Sequence, residues 1–256
     1  MDAARGRATE ELGVNALLDN ERARARIALI WKMRAVGEHQ STARFAAYAK
    51  RMRELGVPPH FQDEAFAASE QELRHREVCV EMAQRLRYGE ITFETQDFTP
   101  IGPHGPANLL ADMVAFGCLV ETLNVAQLST FLRDITEPEI RQATRKLLAD
   151  EVGHSRLGWA YLAWAHGQGE GRLLAPHLPY MLWEAVPPSL FAEIPPHPEE
   201  AVLLAMGDPP IPTRRALFFK TMNEVVLPGL EAHGVATDHA RAWLENPTWP
   251  RGHEAR

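Results

Sequence analysis

Two patterns concentrate the residues able to do chemistry: Glu72-Leu-Arg-His75 and Glu151-Val-Gly-His154. In each, an acid and an imidazole are three residues apart, so on a helix both lie on one face and reach the same point. Glu38 and Glu121 each occupy the middle of a similar apolar stripe. The second stripe reads Phe61, Ala65, Ala68, Glu72, His75, Cys79, Met82, Leu86, and the fourth Ile140, Thr144, Leu147, Glu151, His154, Gly158, Tyr161, Ala165. The first runs through Trp31, Ala35, Glu38, Thr42, Phe45 and the third through Val114, Cys118, Glu121, Val125, Leu128. Four glutamates and two histidines are thereby expected in one core. Burying one unpaired carboxylate is costly, and four together repel one another. Such a core requires protonated acids, paired cations or bound metal. No lysine lies on the stripes and Arg34 is the one nearby arginine. Two divalent ions would balance four carboxylates, with two neutral imidazoles completing the shells. All-oxygen-and-imidazole ligation suits iron or manganese.

The elements that must position these residues are helices. Periodicity marks a first helix from about Asn20 to Leu55, stopped by Gly56 and Pro58-Pro59, and a second from about His60 to Tyr88, stopped by Gly89. A third runs from Ala107 to about Asp134, and a fourth opens at Thr136-Glu137-Pro138 and lasts to Gly167. The links within the first and second pairs are short, which makes each pair an antiparallel hairpin. The link from Glu90 to Pro106 is long, contains three prolines and alternates at Ile91–Thr95. Extended, it spans up to about 55 Å, against about 43 Å for a long bundle helix. The expected fold is all-α: a four-helix bundle with one long crossover.

The sequence resembles the ferritin-like superfamily of di-iron carboxylate proteins over about residues 20–168. Its order is Glu from helix one, Glu-x-x-His from helix two, Glu from helix three and Glu-x-x-His from helix four. Glu38, Glu72, His75, Glu121, Glu151 and His154 match in order and approximate spacing. The resemblance implies two iron ions, or a manganese–iron pair, with Glu72 and Glu151 bridging and the other four as terminal ligands. It also implies dioxygen as co-substrate. Asp150 matches an acid that in this superfamily often hydrogen-bonds a ligand histidine, whereas its counterpart before Glu72 is Gln71. Some bacterial multicomponent hydroxylases of the superfamily carry a cysteine at the Cys79 position, lining the substrate cavity. Aryl-amine N-oxygenases of the superfamily usually carry an extra histidine where this chain has Leu147, so a seven-ligand site is not expected.

Cys118 with Gly117 beside it, Tyr161 and Arg34 complete the candidate pocket, while Cys79 and Cys118 read equally as small core residues. Gly117 is expected to leave space, Tyr161 to line the pocket edge or pack, and Arg34 to meet an acidic substrate group or a surface acid. The chain continues well past Gly169, and ten of its nineteen prolines fall between Pro176 and Pro212 among Leu178, Leu182, Trp183 and Phe191. Those apolar groups are foreign to a flexible linker and predict short helices and turns covering the bundle. A helical hairpin at about Thr213–Glu231 and Thr237–Asn246 follows, with Pro228 expected to kink or end its first arm. The division is thus 1–19 as an N-terminal segment, 20–169 as the ferritin-like bundle and 170–256 as a C-terminal extension. That extra length favours an oxygenase or oxidase of a small organic substrate over a ferroxidase or iron-storage protein.

Of 256 residues, 27 are Lys or Arg and 34 Asp or Glu, a net charge of −7. That balance argues against general nucleic-acid or anionic-membrane binding. The run Arg22-Ala-Arg-Ala-Arg26 reads as a solvated helix face. Two cysteines form no disulfide framework, and the opening MDAARGRATEELG has no hydrophobic signal core. A cytoplasmic protein is expected, drawing electrons from a donor such as a ferredoxin or reductase, with a homodimer as the candidate assembly.

Overall fold

A computed structural model describes residues 20–94, 106–169 and 173–248. Every regular element among them is helical. Helix α1, Glu21–Glu54, starts where the Asn20 side chain accepts the Ala23 N–H at 3.0 Å. It ends at Gly56, whose φ of +67° lets the Val57 N–H turn back to the Met52 carbonyl at 2.9 Å. Helix α2 spans Pro59–Arg85 and stops three residues before the expected end. Arg87, at φ +61°, takes the left-handed position, and the Tyr88 N–H closes on the Ala83 carbonyl at 3.0 Å.

Helix α3 is α-helical over Pro106–Met113, π-helical over Val114–Val120 and α-helical again over Glu121–Phe131. Helix α4, Pro138–Gly167, opens on Pro138 with Glu137 capping it. The pairs α1–α2 and α3–α4 pack along their lengths, and α2 also packs against α4. Residues 91–94 after α2 are in neither helix nor strand. Residues 95–105, and with them most of the expected crossover, lie outside the described residues, as does segment 1–19.

The apolar stripes explain the packing. All eight stripe residues of α2 and all eight of α4 are buried. Two apolar clusters form at opposite ends of the long helices. One contains Ile27, Trp31, Cys79 and Leu147; the other contains Phe45, Phe61, Leu110 and Leu162. The glutamates and histidines occupy the level between them.

The chain after 173 folds as a 3₁₀ turn Ala175–His177, helix α5 (Leu178–Ala185), a second 3₁₀ turn Pro188–Phe191 and helix α6 (Glu200–Ala205). It continues as α7, with pieces Ile211–Thr221, π-helical Met222–Val226 and Leu227–Ala232, and ends in α8 (Asp238–Glu245). Pro228 does not end its helix. The π turn before it moves the hydrogen bonding to a wider register, with the Leu227 N–H on the Met222 carbonyl, and accommodates a residue lacking an N–H.

Helices α5 and α7 lie on the outward side of α3, and Leu182, Phe218 and Leu230 share its apolar cluster. This explains the composition of α3: Ala107–Phe131 is long and apolar enough to cross a membrane, yet 67% of its most apolar window is buried inside the protein. Helix α6 instead meets α1 near its start, where Leu203 and Met206 join the cluster of Ile27 and Trp31.

Candidate metal centre

Each long helix delivers its glutamate to the same level, and α2 and α4 each deliver a histidine one turn on. His75 Nδ1 lies 3.2 Å from Glu72 Oε2 and 3.7 Å from Glu151 Oε1. His154 Nδ1 lies 3.2 Å from Glu72 Oε1 and 3.4 Å from Glu151 Oε2. Two overlapping sets result, Glu38–Glu72–His75–Glu151 and Glu72–Glu121–Glu151–His154, each with its ligand atoms within 4.8 Å of one another. Glu72 and Glu151 belong to both. Glu38 is half-buried and the other five are buried.

Local packing fixes these positions. Gly117 on α3 and Gly158 on α4 meet backbone to backbone, four residues from Glu121 and from His154 respectively. A Cβ on Gly158 would stand 2.5 Å from the Gly117 carbonyl carbon and 2.9 Å from the Cys118 nitrogen. Only glycine at both positions lets the helices approach so closely. The π segment ends immediately before Glu121, whose N–H bonds to the Phe116 carbonyl five residues back. Within α1 the Thr42 hydroxyl donates to the Glu38 carbonyl at 2.8 Å, and Ser69 on α2 donates to the Thr42 carbonyl at 2.9 Å. The Phe45 ring lies 5.0 Å from the His154 ring and walls that imidazole from solvent.

Charge in this layer is strongly displaced. Burial, then the charges of Glu72 and Glu151, push Glu38 well above the usual carboxylate range. Burial and the charge of Glu151 do the same to Glu121. Burial opposes ionisation of Glu72, but the close approach of the His154 and His75 imidazoles outweighs it and brings Glu72 down to about 2. Burial likewise opposes the charge on His154, while Glu151 and Glu72 lift it to about 9. With protons alone, the cluster lowers its charge by holding two acids protonated and charging His154.

That arrangement leaves buried atoms unsatisfied. Glu121 Oε1, Glu151 Oε2 and His154 Nδ1 make no well-aligned hydrogen bond, although His154 Nδ1 lies close to both Glu72 and Glu151. All three belong to the second set, and all are electron-pair donors once deprotonated. Buried polar atoms left unsatisfied are rare and call for an explanation. Four carboxylates and two imidazoles suit two hard or borderline divalent ions, and the residues present fit such a pair.

Behind the imidazoles, His75 Nε2 contacts Asp150 Oδ2 at 3.2 Å, and His154 Nε2 contacts Gln71 Oε1 at 2.9 Å. Each histidine is thus supported from the opposite helix, by the residue just before the other glutamate. Sequence reading assigned a supporting role to Asp150 but none to Gln71. The signal was present, since Gln71 and Asp150 occupy the same position in the two motifs.

The candidate pocket residues fare differently. Gly117 leaves no space, because the Gly158 backbone takes it. Cys79 and Cys118 are fully buried in the apolar clusters, and burial pushes both thiols well above their ordinary range. Tyr161 is buried, edge-on to Phe61 at 5.6 Å and tilted against Trp164 at 5.4 Å. Arg34 stacks over Trp31 at 5.0 Å, one turn before Glu38. Two clefts, of about 370 and 410 Å³, lie elsewhere. The first is lined by Arg26, Leu203 and the prolines around Asp208, the second by Lys32, His39, Tyr88 and Phe93. Reading the sequence also missed the ion pair of Arg51 with the fully buried Asp112, at 2.7 Å, which ties α1 to α3. Compared with known proteins, the chain matches no family model, no curated protein and no solved structure.

Proposed function

We propose that this chain is a non-haem di-iron oxygenase or oxidase, built as a ferritin-like four-helix bundle with a C-terminal extension, that oxidises a small organic substrate with dioxygen. The observation that carries the reading is the pair of four-donor sets sharing Glu72 and Glu151, with donor atoms that converge between four helices without making well-aligned hydrogen bonds. In this reading Glu38 and His75 hold one ion, Glu121 and His154 the other, and Glu72 and Glu151 bridge. Bound there, two iron ions supply the one-electron steps of dioxygen reduction that protein side chains lack.

The chain's own residues do the rest. Asp150 and Gln71 hold the imidazoles with Nε2 outward, which turns each Nδ1 toward Glu72 and Glu151. The apolar clusters on both sides exclude water above and below the layer, leaving the edge at Glu38 and Asp150 as its open side. A ferredoxin or reductase would return the electrons spent. Ferrous iron oxidation is a second reading, favoured by Glu38 and Asp150, which are partly open to solvent and give an incoming ion a route to the cluster.

Oxygen uptake separates the two readings. The ferrous-loaded protein is given either excess ferrous iron alone, or an electron donor with a panel of small organic substrates. An oxygenase consumes oxygen in proportion to an oxidised organic product. Rapid uptake with iron alone and no organic product supports the ferroxidase, and no uptake in either arm overturns both.

A further inference from the structure

One hydrogen-bonded chain runs behind both imidazoles and crosses between α2 and α4. It passes from His75 Nε2 to Asp150 Oδ2 at 3.2 Å, and from Asp150 Oδ1 to the Gln71 amide nitrogen at 3.4 Å. It ends where Gln71 Oε1 meets His154 Nε2 at 2.9 Å. Donors and acceptors allow one polarity. A carboxylate only accepts, so Gln71 turns its NH₂ toward Asp150 and its oxygen toward His154. An amide oxygen also only accepts, so His154 carries a proton on Nε2. Both rings therefore donate Nε2–H to the chain and face Glu72 and Glu151 with Nδ1, whose proton an arriving ion would displace.

The two ends of this chain differ by one charge. His75 leans on a carboxylate and His154 on a neutral amide. We propose that this difference makes the two metal positions unequal, with the Glu38–Glu72–His75–Glu151 position the tighter, and that Gln71 is the positioning residue that sets the inequality. The inference rests on the di-metal reading above.

A carboxylate behind a ligand imidazole raises its basicity and adds a negative charge near the cation, and such partners change metal affinity by about 10–100-fold. Arg34 acts in the opposite sense, since its charge bears on Glu38 in the favoured position. Its guanidinium stacks on Trp31, however, and among the described residues it makes no ion pair with Glu38. Asp150 is in direct contact with the ligand ring and outweighs it, because Coulombic effects fall with distance. The identity of Gln71 follows from the same contacts. An acid there would face Asp150 at the 3.4 Å now spanned by a hydrogen bond, and two carboxylates would repel.

The test is calorimetric titration of metal-free protein with Co²⁺ and with Mn²⁺, which needs no turnover. Single-histidine variants isolate the positions. His154→Ala should bind one ion with the wild type's first Kd, and His75→Ala should bind its ion at least about tenfold more weakly. Asp150→Asn should weaken the first step about tenfold while moving the second little, and adding Gln71→Glu in that background, where no carboxylate opposes it, should tighten the second by a similar factor. Circular dichroism checks that each variant folds. Equal affinities in the two histidine variants, or equal shifts of both steps in Asp150→Asn and in the double variant, overturn the inference while two bound ions leave the di-metal reading standing. Failure of the wild type to bind two ions overturns both.

Discussion

Where the four long helices meet at Glu72 and Glu151, the interior is polar and three of its buried atoms make no well-aligned hydrogen bond. One turn away on α3 and α4, Gly117 and Gly158 meet with no side chain between them, and outward from there Leu182, Phe218 and Trp243 close an apolar layer. The first region sacrifices stability: it buries charge, keeps acids protonated and leaves hydrogen bonds poorly aligned. The second region is backbone contact and apolar burial, the terms that hold a fold together. Neighbouring residues of the same two helices thus serve different ends, and substitutions in the two regions should separate those ends cleanly.

The largest effect should come from removing the outer layer. Ending the chain at Gly169 strips α5 and α7 from α3 and bares its apolar face. The truncated protein is expected to aggregate or to bind a hydrophobic dye strongly. If it stays monomeric and binds no dye, the outer layer is not what buries α3.

Gly158→Ala should come next. Its methyl would meet backbone atoms of Gly117 and Cys118, which cannot rotate aside as a side chain can. Overpacking of this kind costs about 1–3 kcal/mol, visible as a lower Tm in chelator-treated protein. Metal binding should weaken as well, because the same contact sets the distance from Glu121 to His154. A variant with unchanged Tm and unchanged metal content would show that the glycine contact positions nothing.

A smaller effect is set by pH in the metal-free protein. His154 is raised from 6.5 to about 9, so its contribution is complete below 6.5 and is lost as pH rises through 9. Glu38 and Glu121 are also raised, so forcing off their protons destabilises the folded state in the same direction. Glu72, lowered to about 2, stays ionised throughout this window. Thermal melts in chelator should therefore show stability falling between pH 6.5 and 9. A flat or rising profile contradicts the charge arrangement described here.

The smallest effect is the most telling for the comparison. Glu121→Gln keeps the shape of a side chain that burial already holds protonated. In chelator its Tm should match or exceed that of the wild type, while one bound ion is lost or weakened. A large drop in Tm without metal would mean that Glu121 serves the fold.

The polar layer was the more legible of the two regions. Its six residues recur at helical spacing against apolar neighbours, and on α2 and α4 the whole expected stripe is buried. The apolar layer was not legible in the same way. Helix α3 is buried on nearly every side over Asn108–Leu119, so its pattern has no face to reveal, and a π turn shifts its register without a residue signature. Gly117 reads as empty space in one dimension, because the Gly158 that fills it is 41 positions away. Arg87 took the turn expected of Gly89, since the chain closes on Ala83 and the cost of one left-handed residue is small beside a satisfied helix end.

The most direct test of the central claim is the number of ions per chain in the wild type and in Glu151→Ala. Both are loaded anaerobically with ferrous iron, passed through a desalting column and analysed for metal. Glu151 belongs to both donor sets, so the account predicts two ions in the wild type and none in the variant. Fewer than two ions in the wild type, or two retained without Glu151, would contradict it.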